Sequence, residues 1–168
     1  MKKYLIVAFC AVMLASCSMT GTKPQNAEDT TKETAEVIEA TELPDLSEQT
    51  VLDTAMISLG DEFADITLST DAKKDKTGEM IWDDSQAWTL TVDCDEGDDF
   101  VLFDERTSGR VYYDVTQNGD EVIISVIQTT TAGLEVTEYR YSNGAFEKSA
   151  VLTTDSNGNN IHTSFPEY

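Results

Sequence analysis

The sequence predicts a mainly β protein, an antiparallel meander that closes into a small sandwich or barrel-like domain. Three observations predict it. After Gly60 the apolar residues recur with a period of two between turn residues, which is the pattern of half-buried strands. Two Asn-Gly dipeptides, Asn118-Gly119 and Asn143-Gly144, separate such runs as hairpin turns would. Nine of the runs are short enough to be strands.

Taken in order, the expected strands are Phe63 to Ser69, Glu79 to Trp82, Trp88 to Cys94, Phe100 to Asp104, Arg110 to Gln117, Glu121 to Thr131, Leu134 to Ser142, Ala145 to Thr154 and Ile161 to Phe165. Trp88, Leu90, Val92 and Cys94 alternate with Thr89, Thr91 and Asp93, so one face of that strand is apolar. Val111, Tyr113 and Val115 repeat the pattern. A one-faced sheet must cover its apolar side with a second sheet or with a helix. A sandwich, a small barrel and an α+β sheet all satisfy that requirement.

A covering helix is expected before Gly60. Asp45 with Glu48 three residues later resembles a capping box. Leu52, Ala55, Met56 and Leu59 follow at helical spacing, and Gly60 stands where a helix stop belongs. The competing reading is a strand through Val51 and Ile57, whose β-branched side chains weaken the helix.

The N-terminus carries the plan of an export signal. Lys2 and Lys3 precede an unbroken apolar run from Tyr4 to Leu14, and Ala15 and Ser16 stand before Cys17. A spanning helix needs about 20 apolar residues, so the run is too short to be a durable anchor. Leu14-Ala15-Ser16-Cys17 resembles the lipobox of bacterial lipoproteins at every position. The resemblance covers residues 1–17 only. It implies a signal peptide over 1–16, a diacylglycerol on the Cys17 thiol, and a mature chain held at an extracytoplasmic membrane surface of the cell envelope. Anchoring of this kind is stable when two or more acyl chains share it.

From Ser18 to Leu43 six acids face two lysines, with few large apolar residues beyond Val37, Ile38 and Leu43. Such a stretch buries too little to offset the entropy of ordering. The expected organisation is therefore a flexible acidic tether over 17–44 and one domain over 45–168. About 120 residues is ample for a single core.

Composition excludes several classes of partner. The formal charge is −21, and losing Lys2 and Lys3 with the signal takes it to −23. That surface repels phosphate polymers, so nucleic acid is not an expected partner. Anionic lipid is disfavoured too, which leaves membrane attachment to the acyl anchor on Cys17. Cys10 belongs to the signal, so Cys94 is the one thiol of the expected domain and has no disulfide partner there. Its place on the apolar face of its strand predicts burial.

Residues with chemistry to offer are few. His162 is the lone histidine, which leaves Ser or Cys nucleophiles without a ready base and transition metals without a ligand set. Phosphate-binding Gly-rich loops are absent. Two oxygen-rich segments suggest calcium, Asp93 to Asp99 and Asp155 to Asn160. The second begins like an EF-hand loop, but Gly158 falls at its fourth position and Pro166 at its twelfth. The first packs Asp93, Asp95, Glu96, Asp98 and Asp99 around Gly97, and a solvated acidic turn is the expected reading. Trp82, Trp88, Tyr112, Tyr113, Tyr139 and Tyr141 could line a sugar or peptide groove or fill the core, with Tyr112 and Tyr113 on opposite faces of one strand.

No catalytic residue, cofactor site or metal site is therefore assigned, and Cys17 is the single predicted site, for lipid. The expected function is a non-enzymatic binding module for an envelope protein or glycan. The alternative is an envelope hydrolase using paired carboxylates.

Overall fold

The computed structural model describes residues 35–130 and 133–155. Cys17, His162, the expected strand Ile161 to Phe165 and the segment after Asp155 lie outside the described residues. Eleven strands follow one another: β1 (Glu36–Ile38), β2 (Thr50–Leu59), β3 (Glu62–Thr70), β4 (Lys73–Lys74), β5 (Met80–Ile81), β6 (Gln86–Cys94), β7 (Phe100–Thr107), β8 (Arg110–Asn118), β9 (Glu121–Thr129), β10 (Gly133–Ser142) and β11 (Ala145–Asp155). All the pairings are antiparallel.

The strands form a sandwich. One sheet runs β1-β11-β10-β9-β8, the other β2-β3-β6-β7, and β4 with β5 makes a separate two-stranded arm. Period-two patterning explains the core between the sheets. Ile66, Leu68, Trp88, Leu90 and Val92 from one sheet meet Val111, Val122, Ile124, Tyr139 and Phe146 from the other, each almost wholly buried. Phe100 and Phe146 pack edge to face at 5.1 Å between centroids, the geometry that the ring quadrupoles favour.

Turn chemistry joins the strands. Asn143 and Gly144 both take positive φ, 52° and 80°, as a type I′ hairpin requires between Ser142 and Ala145. The other Asn-Gly turn is shifted by one residue. Asn118 pairs with Glu121, so the two loop residues are Gly119 and Asp120, and only Gly119 has positive φ. Between β7 and β8 the chain passes from one sheet to the other at Gly109. A Cβ there would lie 1.5 Å from the Thr129 carbonyl oxygen, so only glycine fits.

The expected helix over residues 45–60 is instead strand β2, and no helix occurs among the described residues. A β-bulge is the reason. The register against β3 slips between Val51 and Asp53, leaving Leu52 as an extra residue. Leu52 and Ala55 therefore share the core-facing side with Ile57 and Leu59, at spacings that imitate a helix. Met56, which a helix would have buried, is 72% exposed. Asp45 caps no helix either: its Oδ1 accepts from Ser47 N at 2.9 Å in a local turn.

The stretch expected to be tether also contributes structure. Glu36–Ile38 pairs with Phe146, Glu147 and Lys148 at the sheet edge, and Ile38 packs against the core. Beyond it Thr41 N donates to the Asp99 carbonyl at 2.9 Å. Gln49 then reaches across to the β3 and β6 hydroxyls, donating to Thr89 Oγ1 and accepting from Ser69 Oγ. That cover buries Ser69 and Thr89 on a face expected to meet solvent.

Candidate functional site

The arm and the start of β2 enclose the roomiest of the described concavities, about 470 Å³. Its shape follows from local sequence. In the arm's turn Asp75 Oδ1 accepts from Thr77 N, Thr77 Oγ1 and Glu79 N at 2.7, 2.6 and 3.0 Å, and Gly78 supplies a φ of +90°. The Thr77 hydroxyl and amide hold the Asp75 carboxyl below its usual range. At the base, Ala87 N donates to Asp71 Oδ1 at 2.9 Å and Asp71 N donates to the Ala87 carbonyl. Arg106 closes the base, bonding Asp71 Oδ2 at 2.5 Å and the Ser85 carbonyl at 2.7 Å.

Val51 and Leu52 form one wall of this groove and Met80 and Trp82 the other, with Lys74 and Glu79 as its charged residues. The bulge at Leu52 is what allows two successive residues of one strand to face it. Trp82 is stacked on Trp88, with ring centroids 5.6 Å apart and planes 10° from parallel. The Arg110 guanidinium lies 4.5 Å from the Trp82 ring centre, within cation–π range. With its faces so engaged, Trp82 offers the groove an apolar flank and no open platform for a sugar ring.

The other aromatic residues divide between roles. Trp88 and Tyr139 are core, and Trp88 Nε1 is buried without a hydrogen-bond partner among the described residues. Tyr141 packs on Phe146. Tyr113 donates its hydroxyl proton to the Asp53 carboxylate, tying β8 to β2. Tyr112 alternates with it on the other face of β8, as its neighbouring position requires. Burial, reinforced by Glu105, Glu36 and Glu135, pushes the Tyr139 phenol well above its ordinary range. It is a neutral packing group at working pH.

The acidic loop occupies one end of the sandwich. Asp99 Oδ1 accepts from Cys94 N at 3.0 Å, and Asp95 N donates to the Phe63 carbonyl at 3.1 Å. These bonds spend one side chain and one amide on holding the turn. Asp65 faces Asp93 across the β3–β6 pair, both exposed, an arrangement that only solvent screening makes tolerable. Among the described residues no three His, Cys, Asp or Glu side chains converge as a metal ion requires. Cys94 is buried as its strand pattern predicts. Desolvation, with Asp99, Glu62, Asp93 and Asp98 adding like charge, pushes its thiol up to about 11. So high a value keeps it protonated and unreactive.

The structure thus separates residues that sequence reading could only group by type. It brings Trp82 and Trp88 together and leaves the tyrosines scattered. The groove itself was missed. Its signal was slight: an apolar triplet Met80-Ile81-Trp82 set between polar turns, too short to fill a core strand. Compared with known protein families, curated proteins and solved structures, the chain matches none.

Proposed function

We propose that this chain is a lipid-anchored, extracytoplasmic binding module that holds a protein or other envelope component. The anchor half rests on Leu14-Ala15-Ser16-Cys17 behind a short apolar run. The binding half rests on the groove between the arm and β2. Its walls are Val51, Leu52, Met80 and Trp82, a lining that can hold an apolar group, and it carries only Lys74 and Glu79 as ionisable chemistry. Its volume falls in the range of about 300 to 1,000 Å³ typical of ligand sites. A groove with an apolar lining and one carboxylate, Glu79, suits recognition, whereas hydrolysis by paired acids needs two facing carboxylates.

Metabolic labelling with a radioactive fatty acid tests the anchor. The wild-type protein should take up label and sediment with membranes, and Cys17→Ala should do neither. Equal labelling of the variant refutes the anchor. Capture of partners from an envelope extract, compared with a charge-matched acidic protein, tests binding. No component enriched over that control refutes the module.

A further inference from the structure

We infer that the outward face of β2, β3 and β6, near the turn at Gly60, docks an arginine-bearing basic segment of another protein. This is a second surface, at the far end of β2 from the groove, and it does not depend on the groove being occupied. Register builds the face. Ile57, Leu59, Ala64, Ile66 and Val92 turn inward to the core, so Met56, Phe63, Asp65 and Asp93 turn outward. Met56 stands opposite Asp65, which makes Phe63 its diagonal neighbour, within reach of a long side chain. Met56 is 72% exposed and Phe63 52%. Farther along the same face Gln49 covers Ser69 and Thr89, which are buried. An apolar pair left bare on a face that the chain covers elsewhere, with a polar rim around it, has the composition of an interaction site.

Local charge names the partner. Asp65 and Asp93 sit directly opposite each other on this face, and beside them Phe63 shares a concavity of about 180 Å³ with Asp61, Glu62, Asp95 and Glu96. No lysine or arginine occurs from Thr50 to Ala72 or from Thr77 to Glu105, the segments that hold β2, β3, β6 and the acidic loop. Lys73, Lys74 and Arg106 gather at the Thr50 end of β2 instead. The ion pairs among the described residues involve Asp71, Glu121 and Glu138 and none of the carboxylates around Phe63. At about 0.15 M salt, screening weakens charge effects beyond about 8 Å, so a ligand meets this rim and not the charge of the whole chain. Opposed carboxylates repel, and a cation set between them turns that cost into attraction. Arginine fits best, since its planar fork bonds carboxylates in pairs, its guanidinium stacks on an aromatic face and its stem packs on apolar carbon. Phe63 supplies the ring and Met56 the apolar carbon. The same face of a second copy brings only more carboxylates, so the occupant is a separate basic protein.

The test titrates the full-length protein at about 0.15 M salt with synthetic peptides that alternate Arg and Ala, Lys and Ala, or Glu and Ala, followed by nuclear magnetic resonance. The Arg–Ala peptide should bind saturably and move the resonances of Met56, Phe63, Asp65 and Asp93. The Lys–Ala peptide should bind about threefold more weakly or worse, and the Glu–Ala peptide should not bind. Asp65→Asn with Asp93→Asn should weaken the Arg–Ala peptide by about tenfold or more. That pair should also raise the melting temperature of the free protein, because it removes the repulsion. Glu135→Gln with Glu147→Gln makes the same change in charge at exposed positions of the other sheet and should weaken binding by less than about twofold. Phe63→Ser leaves the charge alone at an exposed site and should weaken binding by about fivefold or more with an unchanged circular dichroism spectrum.

Equal losses in the two carboxylate pairs mean diffuse attraction to an acidic protein and overturn the assignment. Wild-type affinity in Phe63→Ser overturns the docking face, and this variant decides alone if Asp65→Asn with Asp93→Asn disturbs the fold. Equal binding of the Lys–Ala peptide overturns arginine as the anchor. Resonance shifts confined to the arm or to the other sheet place the site elsewhere. Spermine that moves the same resonances at concentrations as low as the Arg–Ala peptide makes the ligand a small polyamine and refutes a protein partner.

Discussion

Removing the Trp82 ring tests how the arm is fastened to the sandwich. Trp82→Ala abolishes the stack on Trp88, 5.6 Å between centroids, worth about 0.5 to 1.5 kcal/mol. It also removes the contact with Arg110, worth about 0.5 to 1 kcal/mol near a surface. Trp82 is half-buried, so roughly half the transfer free energy of a large apolar side chain goes too, about 1 kcal/mol. Together the loss is about 2 to 3.5 kcal/mol. Unfolding entropy near 60 °C is about 2.1 cal/mol/K per residue, or about 0.25 kcal/mol/K for a domain of about 120 residues. The melting temperature should therefore fall by about 8 to 14 °C, read by far-ultraviolet circular dichroism. Trp82→Phe keeps an apolar ring and should lose about half as much. Ile81→Ala, one residue away and 57% exposed, should stay within about 0.5 kcal/mol of wild type. The emission of the remaining Trp88, wholly buried in the intact protein, should move to the red in Trp82→Ala. A melting shift below 4 °C with unchanged Trp88 emission would refute the latch and show that the Asp71 base network alone holds the arm.

Four further outcomes follow from the same geometry. Phe146→Ala removes a wholly buried ring packed on Phe100 and Tyr141 and should cost about 3 to 5 kcal/mol in urea denaturation. Its neighbour Glu147→Ala, on the exposed face of β11, should cost under about 0.5 kcal/mol, and a reversed order would put the strand one residue out of register. Relative to a chain beginning at Ala35, one beginning at Thr41 lacks β1 and half-buried Ile38 and uncovers the Phe146 to Lys148 edge, so stability should fall by about 1 to 2 kcal/mol and light scattering should reveal association. Cys94, with its thiol pushed up to about 11, should be alkylated at pH 8 at least about a hundredfold more slowly than a free thiol of pKa about 8.5. Because folding raises that acid's pKa, its contribution to stability is complete below the ordinary thiol range and is lost as pH climbs through about 11. The raised Tyr139 and Tyr141 act in the same direction. Melting temperature should decline from about pH 9 upward, and a flat profile to pH 11 would contradict the burial of these groups.

From Phe63 to Thr154 the sheets were legible because each strand buries one face, and burial of one face writes a period of two into the sequence. The eight strands expected there all occur, with ends moved by three residues or fewer. Beyond the two Asn-Gly hairpins, which pair β8 with β9 and β10 with β11, the sharing of strands between sheets was not legible. Alternation records which face is apolar and says nothing of the neighbour, and the passage between sheets hangs on Gly109, whose need for closeness to Thr129 is a tertiary fact. The arm was legible only in part. Its turn residues Asp75 and Gly78 are ordinary signals, but β4 is two lysines long and carries no pattern at all. The groove depends on how the arm hangs over β2, so the apolar triplet Met80-Ile81-Trp82 hints at it without encoding it.

The first two strands were hidden for opposite physical reasons. In β2 the signal was present but misleading: a bulge inserts Leu52 into a period-two strand, and the resulting spacing of Leu52, Ala55 and Leu59 is what an amphipathic helix would also produce. Only Met56 discriminates, since a helix would bury it and the strand turns it to solvent. In β1 the signal was nearly absent, because a three-residue edge strand exposes Glu36 and Val37 and packs only Ile38 on the core. Edge strands gain their stability from main-chain pairing, which every sequence can supply, so composition there records solvent exposure and reads as tether. The paired chain therefore begins by Glu36, inside the stretch 17–44 that composition alone marks as tether.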